Sequence, residues 1–375
     1  MTEASTAELP PRANPHLVGQ SAAEAELLAS FRSQRMAHAW LLRGPRGIGK
    51  ATLAYRFARW VLAGADRPSA PPSGTIAGGL FGDSPPATPA ADSLYLNPTN
   101  PVFRRIAAAG HADLMTVEIG SDDKGKRYSE VRVEDVREVG RFLSLTAAEG
   151  GWRIVIIDSA DEMNRNAANA LLKVLEEPPR RALLLLVSHS PGALLPTVRS
   201  RCRGLTLHPL KENEVDGLLS QRLSKSSASD RRVLTDLADG SIGRALDLAG
   251  EGGLEVHGEL MGLVGSLPEL DIGRLHRFAE KMARQSGETA FRAASYLLLW
   301  WLSRLIAAAA GRPPVACDPE QVALFARIAR PGNLDRWMEV WEKINRLLVR
   351  TDAVNLDRRQ VMLTAMLAIR DAARP

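Results

Sequence analysis

Cysteine is nearly missing from this chain. Only Cys202 and Cys317 occur among 375 residues, far apart and without a CxxC spacing. That excludes a disulfide framework and a cysteine-built structural zinc site, and it fits a reducing, cytoplasmic compartment. The first twenty residues (MTEASTAELPPRANPHLVGQ) lack an apolar core segment and do not read as a secretory signal. An excess of one charge is lacking too: 48 Lys and Arg against 43 Asp and Glu leave a net +5. Such a balance permits contact with nucleic acid without arguing for it. One apolar run, residues 293–310 (AASYLLLWWLSRLIAAAA), approaches the ~18–20 residues of a membrane span. Ser303 and Arg304 interrupt it and no partner span exists. It reads as a buried helix, and no membrane contact is expected.

What is present is an alternation of short apolar runs and helical patterns. Residues 21–36 have helical periodicity, 39–42 (AWLL) form a short apolar run, and 50–62 follow a Gly-rich loop as an amphipathic helix. Residues 63–100 change to Pro, Ala, Gly and Ser and read as a surface insertion. A strand is expected at 113–117, a polar tip at 121–127 (SDDKGKR) and a helix at 133–145. The run 153–157 (RIVII) has the pattern of a strand buried on both faces. In the helix expected at 165–176, Ala168, Leu171, Leu172 and Leu175 share one face, and Pro178-Pro179 ends it. Further strands are expected at 183–187 and 204–207. This order implies βαβ units and an α/β fold with a mostly parallel sheet. After Pro209 strand signals stop; helices are expected at 211–223 and 230–238, closed by Gly240-Ser241, and from about 254 onward. The expected plan is a disordered lead (1–14), an α/β domain (15–208), a small helical unit (209–251) and a larger one (252–375).

Residues 44–52 (GPRGIGKAT) match the phosphate-loop pattern G-x-x-x-x-G-K, with Ala51 where Ser or Thr should follow the lysine. Gly44, Gly47 and Gly49, with Pro45 between them, let backbone N–H groups turn inward. The helix beginning near Lys50 points its positive end at the phosphates, and Lys50 adds a cation. The hydroxyl that ligates Mg²⁺ is missing, because Thr52 comes one residue late, ~100° round the helix. The expected nucleotide-binding set is Gly44, Pro45, Gly47, Gly49, Lys50, Ala51, Thr52 and Asp158, binding ATP weakly and leaving Mg²⁺ short of a ligand. Asp158 closes the run IVIID, where an Asp orients the magnesium shell in nucleotide-binding folds; alternatively it merely ends a strand. The next residue is Ser159, which is no general base at neutral pH. Asp161 and Glu162 lie further on and are expected to aim elsewhere.

Residues 169–179 (NALLKVLEEPP), followed by Ser200-Arg201-Cys202, resemble the signature of bacterial sliding-clamp loaders of the AAA+ class. The spacing from phosphate loop to IVIID to these motifs is similar as well, over about residues 15–250. The resemblance implies an AAA+ P-loop core, a helical lid (209–251) and an all-α collar (252–375). It also implies a hetero-oligomeric ring with motor (gamma/tau) and delta subunits, acting on a sliding clamp and primer-template DNA. Arg201 matches the arginine finger, which reaches the ATP site of the neighbouring subunit, an effect worth ~10³ or more in rate. Read without the match, Arg201 lies on a short polar link between strands and is a surface arginine clustered with Arg199 and Arg203. Motor subunits of these loaders carry Ser or Thr at position 51, Glu at 159 and an arginine at 243. This chain has Ala51, Ser159 and Gly243, with Arg244 one position off. The resemblance therefore implies a stator with weak or absent ATPase and no polymerase activity of its own. A hydrolysing motor subunit is the rival, and a metabolic P-loop kinase a more distant one. Loader subunits commonly have a cysteine-ligated zinc module after the P-loop helix; the corresponding insertion here has no cysteine, so no metal site is expected.

Overall fold

Each short apolar run of the first half becomes a strand of one sheet: β1 (Ala39–Arg43), β2 (Leu114–Val117), β3 (Arg153–Ile157), β4 (Ala182–Ser188) and β5 (Arg203–Thr206). In this computed structural model the strand order is β2-β3-β4-β1-β5, and every pairing is parallel. The structure describes residues 9–33, 35–64, 93–120, 130–149, 151–284, 287–312, 319–329, 333–354 and 356–374. The expected polar tip at 121–127 and most of the expected insertion lie outside them.

β3 and β4 are buried along their whole length. Their side chains alternate between two apolar clusters, as a period of two requires. Trp40, Leu42, Ile154, Ile156, Leu183, Leu185 and Val187 pack on one face against α1 (Ser21–Arg32), α2 (Lys50–Leu62) and α3 (Pro101–Ala107). Leu41, Val155, Ile157, Leu184 and Leu186 pack on the other against α4 (Val133–Ser144) and α5 (Arg165–Glu176). The helix α6 (Pro196–Arg199) and a 3-10 turn at Pro191–Ala193 lie between β4 and β5, so the link that carries Arg201 has structure of its own. All strands point the same way. The phosphate loop after β1, Asp158 after β3 and His189 after β4 therefore meet along the carboxyl edge of the sheet, where ligands bind in such folds.

Two stretches are more ordered than composition suggests. The polar lead is anchored from Leu9 onward, with a 3-10 turn at Pro11–Ala13. Arg59, 1% exposed, donates to Arg12 O (3.0 Å) and Asn14 O (2.7 Å) and lies 4.4 Å over the Phe103 ring. A buried guanidinium needs such partners, and the lead's carbonyls supply them. The expected insertion, 63–100, extends too far: the chain is already back in the core at Leu94 and Leu96, which are buried, with Leu94 N–H donating to Glu24 at 2.8 Å. Asn100 then caps α3 by accepting from Val102 N–H.

The chain divides into two compact units, Met1–Val215 with Gly240–Gly243, and Asp216–Asp239 with Arg244–Pro375. Among the described residues the second has helices and no strand: α8 (Ala228–Leu237), α10 (Gly253–Gly265), α11 (Ile272–Ala283), α12 (Glu288–Ala309), α13 (Pro319–Ile328), α14 (Leu334–Val354) and α15 (Arg358–Ala373), besides α7 (Glu212–Arg222) and α9 (Ile242–Gly250) at the boundaries. The apolar run 293–310 is α12, with Leu297, Leu298, Trp301 and Leu305 in the core. Arg304 pairs with Asp236 at 2.7 Å and stacks over Trp300, and Tyr296 donates to Leu237 O at 2.7 Å. Among the described residues, no helix is long and apolar enough to cross a membrane.

Candidate functional site

The loop after β1 is turned so that its carbonyls face outward, each with a donor. Lys50, the first residue of α2, donates from Nζ to Gly44 O (2.7 Å) and Pro45 O (2.5 Å). Ser241 Oγ donates to Arg46 O (2.7 Å) and Gly243 N–H to Gly47 O (3.0 Å). Gln20 Nε2 donates to Ile48 O (3.2 Å) and Leu53 N–H to Gly49 O. By contrast, no acceptor among the described residues takes the N–H groups of Gly47, Ile48, Gly49 or Lys50. Positive φ at Gly47 (77°) and Gly49 (99°) produces this arrangement, which only glycine adopts without strain. The result is a concave row of free N–H donors at a helix N-terminus, the shape and charge that hold phosphate.

Around this nest the sheet brings charged groups together. Lys50 is only 3% exposed, and burial lowers its pKa to about 8, against the pull of Asp158 and Asp161. Asp158 donates its N–H to Val117 O, which sets it beside Glu118 at the end of β2. Burial raises the Asp158 carboxyl, and Glu118 adds to the rise. The Tyr55 hydroxyl hydrogen-bonds to Glu118 and Thr116, both at 3.1 Å. Ser159 sits in the left-handed region (φ 60°), its Oγ 3.4 Å from His189 Nε2. Asp161 accepts from the N–H groups of His189 and Ser190 (3.0 and 2.9 Å), so it fixes the turn after β4. Thr52 is buried on α2, and Ala51 beside it has no hydroxyl to offer a metal.

Gly243, at the start of α9, lies where a Cβ would come 2.8 Å from Gly47 Cα. The contact is backbone on backbone, so any side chain there requires the phosphate loop to move. Arg244, the next residue, stacks 4.4 Å from the Tyr296 ring centroid and reaches Ala238 O at 3.4 Å.

Arg201 follows α6. Its Nη1 donates to Thr197 O (3.0 Å) and its Nη2 lies 2.7 Å from Glu176 Oε1, at the end of α5. The side chain is 36% exposed. Its basic neighbours are engaged separately: Arg199 donates to Pro191 O, while Arg203 pairs with Glu26 and stacks over Trp40. Every expected phosphate-loop residue and Asp158 therefore falls at one edge of the sheet, and Arg201 lies on a separate exposed turn. Sequence reading missed Gln20, Glu118, His189 and the clasp by Ser241. His189 had a usable signal, its place immediately after a buried strand; the others act across long sequence separations.

A phosphate nest on an all-parallel sheet of this order is the arrangement of a P-loop α/β protein. Residues 95–211 match the family model described as "DNA polymerase III, delta subunit". The chain is 39% identical to the DNA polymerase III subunit delta' of Pseudomonas aeruginosa over 44% of this chain and 42% of that one. It is 31% identical to the Escherichia coli delta' subunit, covering 60% and 58%. Similarity extends to the Escherichia coli tau subunit, 26% identical over 72% of this chain and 38% of that one. The chain thus spans about half the length of the curated delta' relatives it matches. These matches bear out the resemblance read from NALLKVLEEPP and SRC at the level of DNA polymerase III subunits.

Proposed function

We propose that the chain is the delta'-type stator of a DNA polymerase III clamp loader. It supplies Arg201 to the ATP site of an adjacent motor subunit while the assembly places a sliding clamp on primer-template DNA in the cytoplasm. The observation that carries this reading is a contrast: an exposed arginine on the SRC turn beside a nucleotide site without its metal hydroxyl, its general base or its lid arginine. In this reading the phosphate loop, Lys50 and Asp158 hold a nucleotide weakly, and residues 209–251 and 252–375 serve as lid and collar. The nest of free N–H groups fits a phosphate chain. The donor set does not fit Mg²⁺ as a motor binds it, since Ala51 offers no oxygen and Asp158 is pushed toward its neutral form by burial.

The test is reconstitution with the motor and delta subunits and measurement of DNA-dependent ATPase. Arg201→Ala is expected to suppress hydrolysis at the receiving site; an unchanged rate removes the finger. The intact nest also favours a second reading, a subunit that turns over ATP itself. That reading requires hydrolysis by the isolated chain that disappears in Lys50→Ala.

A further inference from the structure

Glu176 closes α5 at the end where a carboxylate is least favourable, because the carbonyl end of a helix already bears partial negative charge. Arg201 compensates for it at 2.7 Å. With Nη1 bound to Thr197 O, the guanidinium is held at two points by two elements, α5 and α6. Cys202 turns the other way. It packs into the cluster that includes Leu171 and Leu175 of α5, and burial pushes its thiol up to about 12, which makes it a packing anchor with no reactive thiolate. The SRC turn is thus fixed from inside by Cys202, and its arginine from outside by Glu176. Arg199 and Arg203 have other partners and do not compete for this carboxylate.

We propose that Glu176 is a positioning residue for Arg201, holding the guanidinium extended from the SRC turn toward the phosphoryl group of the neighbouring subunit. This rests on the reading of Arg201 as a finger. A free arginine must be ordered when it engages, and ordering it beforehand removes that loss from the reaction step. A guanidinium has five N–H donors, so Glu176 and Thr197 leave donors over for phosphoryl oxygens. Both partners are partly exposed, so the ion pair itself contributes little to folding. Removing Glu176 therefore acts on rate.

The experiment is a double-mutant cycle in the reconstituted assembly, with kcat and KM for ATP measured under DNA stimulation. Glu176→Ala is expected to lower kcat about three- to ten-fold with KM unchanged, from the usual cost of immobilising one long side chain. Glu176→Gln, which keeps an acceptor oxygen, should recover part of the loss. In the Arg201→Ala background, Glu176→Ala should add nothing. If Arg201→Ala has no effect, the finger reading falls and this proposal with it. If Arg201→Ala acts but Glu176→Ala is silent, or its loss adds to that of Arg201→Ala, positioning is overturned and the finger stands. A fall of several degrees in the melting midpoint of Glu176→Ala would mark the residue as structural and overturn the proposal as well.

Discussion

Lys50 and Arg201 are both cations at helix boundaries in the same α/β unit, yet their surroundings differ in kind. Lys50 is 3% exposed and folded onto the carbonyls of its own loop, while Arg201 is more than a third exposed and braced by an external carboxylate. A ligand reaches Lys50 only by entering the nest and replacing two hydrogen bonds. A second protein reaches Arg201 without disturbing anything else. The phosphate loop is further clasped by Ser241 and Gly243, so its shape is maintained by protein contacts. In the proposed reading, the nucleotide site keeps its form after losing its chemistry, while the residue that acts outward keeps its exposure.

The comparison predicts opposite outcomes for the two cations. In the reconstituted assembly, Arg201→Ala should lower hydrolysis at the receiving site by roughly 10³-fold, the low end for arginine fingers. Lys50→Ala should leave the assembly's ATPase within about two-fold, since in this reading that lysine is no part of the reacting centre. Single-turnover ATPase assays on the two variants check both. A loss in Lys50→Ala as large as that in Arg201→Ala would reverse the assignment.

The next effect concerns Gly243. Its position can be read from the sequence as a missing arginine, and the obvious repair is Gly243→Arg. The structure gives the glycine a positive reason, a backbone contact that leaves no room for Cβ. Gly243→Ala and Gly243→Arg should therefore each destabilise the unit by about 1–3 kcal/mol, as overpacking does. At roughly 2–4 °C per kcal/mol for a unit of this size, calorimetry resolves this readily. An unchanged melting midpoint in Gly243→Ala would show that the clasp is loose.

Such contacts mark the limit of what sequence discloses. The bounds of α2 and α5 were legible because each has strong 3.6-residue periodicity and a clear boundary signal, the Gly-rich loop before Lys50 and Pro178-Pro179 after Glu177. β3 and β4 were legible as continuous apolar runs. α3 was not, because seven residues give too short a pattern and they adjoin a Pro-rich stretch. The anchored lead depends on Arg59, more than forty residues away. The clasp joins residues 195 apart. The phosphate-loop residues were recognisable as a motif, but the pairing of Arg201 with Glu176 needed the fold, since α5 and α6 are separated by β4.

Titration sharpens the comparison from the nucleotide side. Lys50, ordinarily near 10.5, is held at about 8, chiefly by burial. As the pH rises through 8 the ammonium loses its proton, and the nest loses its cation. Affinity for ADP or ATP should therefore fall above pH 8, by at most about tenfold per unit. Isothermal titration from pH 7 to 9.5 reads this. Lys50→Met should abolish the dependence along with much of the affinity, whereas Arg201→Ala should keep it. A pH-independent affinity in the wild-type chain would mean that Lys50 does not contact the phosphates.

The smallest expected effect lies at His189, on the Lys50 side of the contrast. Burial lowers its pKa to about 4 from 6.5, the charges of Lys50 and Arg46 add to this, and Asp161 opposes it. The unfolded chain takes up the proton as the pH falls through 6.5, while the folded chain holds the ring neutral until about 4. Between those values the unfolded state binds more protons, so stability falls as the pH falls. The full shift corresponds to about 3 kcal/mol; over pH 6.5 to 5, where few carboxylates titrate, on the order of 1 kcal/mol should remain after solvent screening. His189→Gln removes the titration and should flatten the melting midpoint across that window, while Arg201→Ala should leave the slope as in the wild type. If the His189→Gln slope matched the wild type, the acid sensitivity would belong elsewhere. The Lys50 edge would then be no more strained by its buried charges than the exposed turn that carries Arg201.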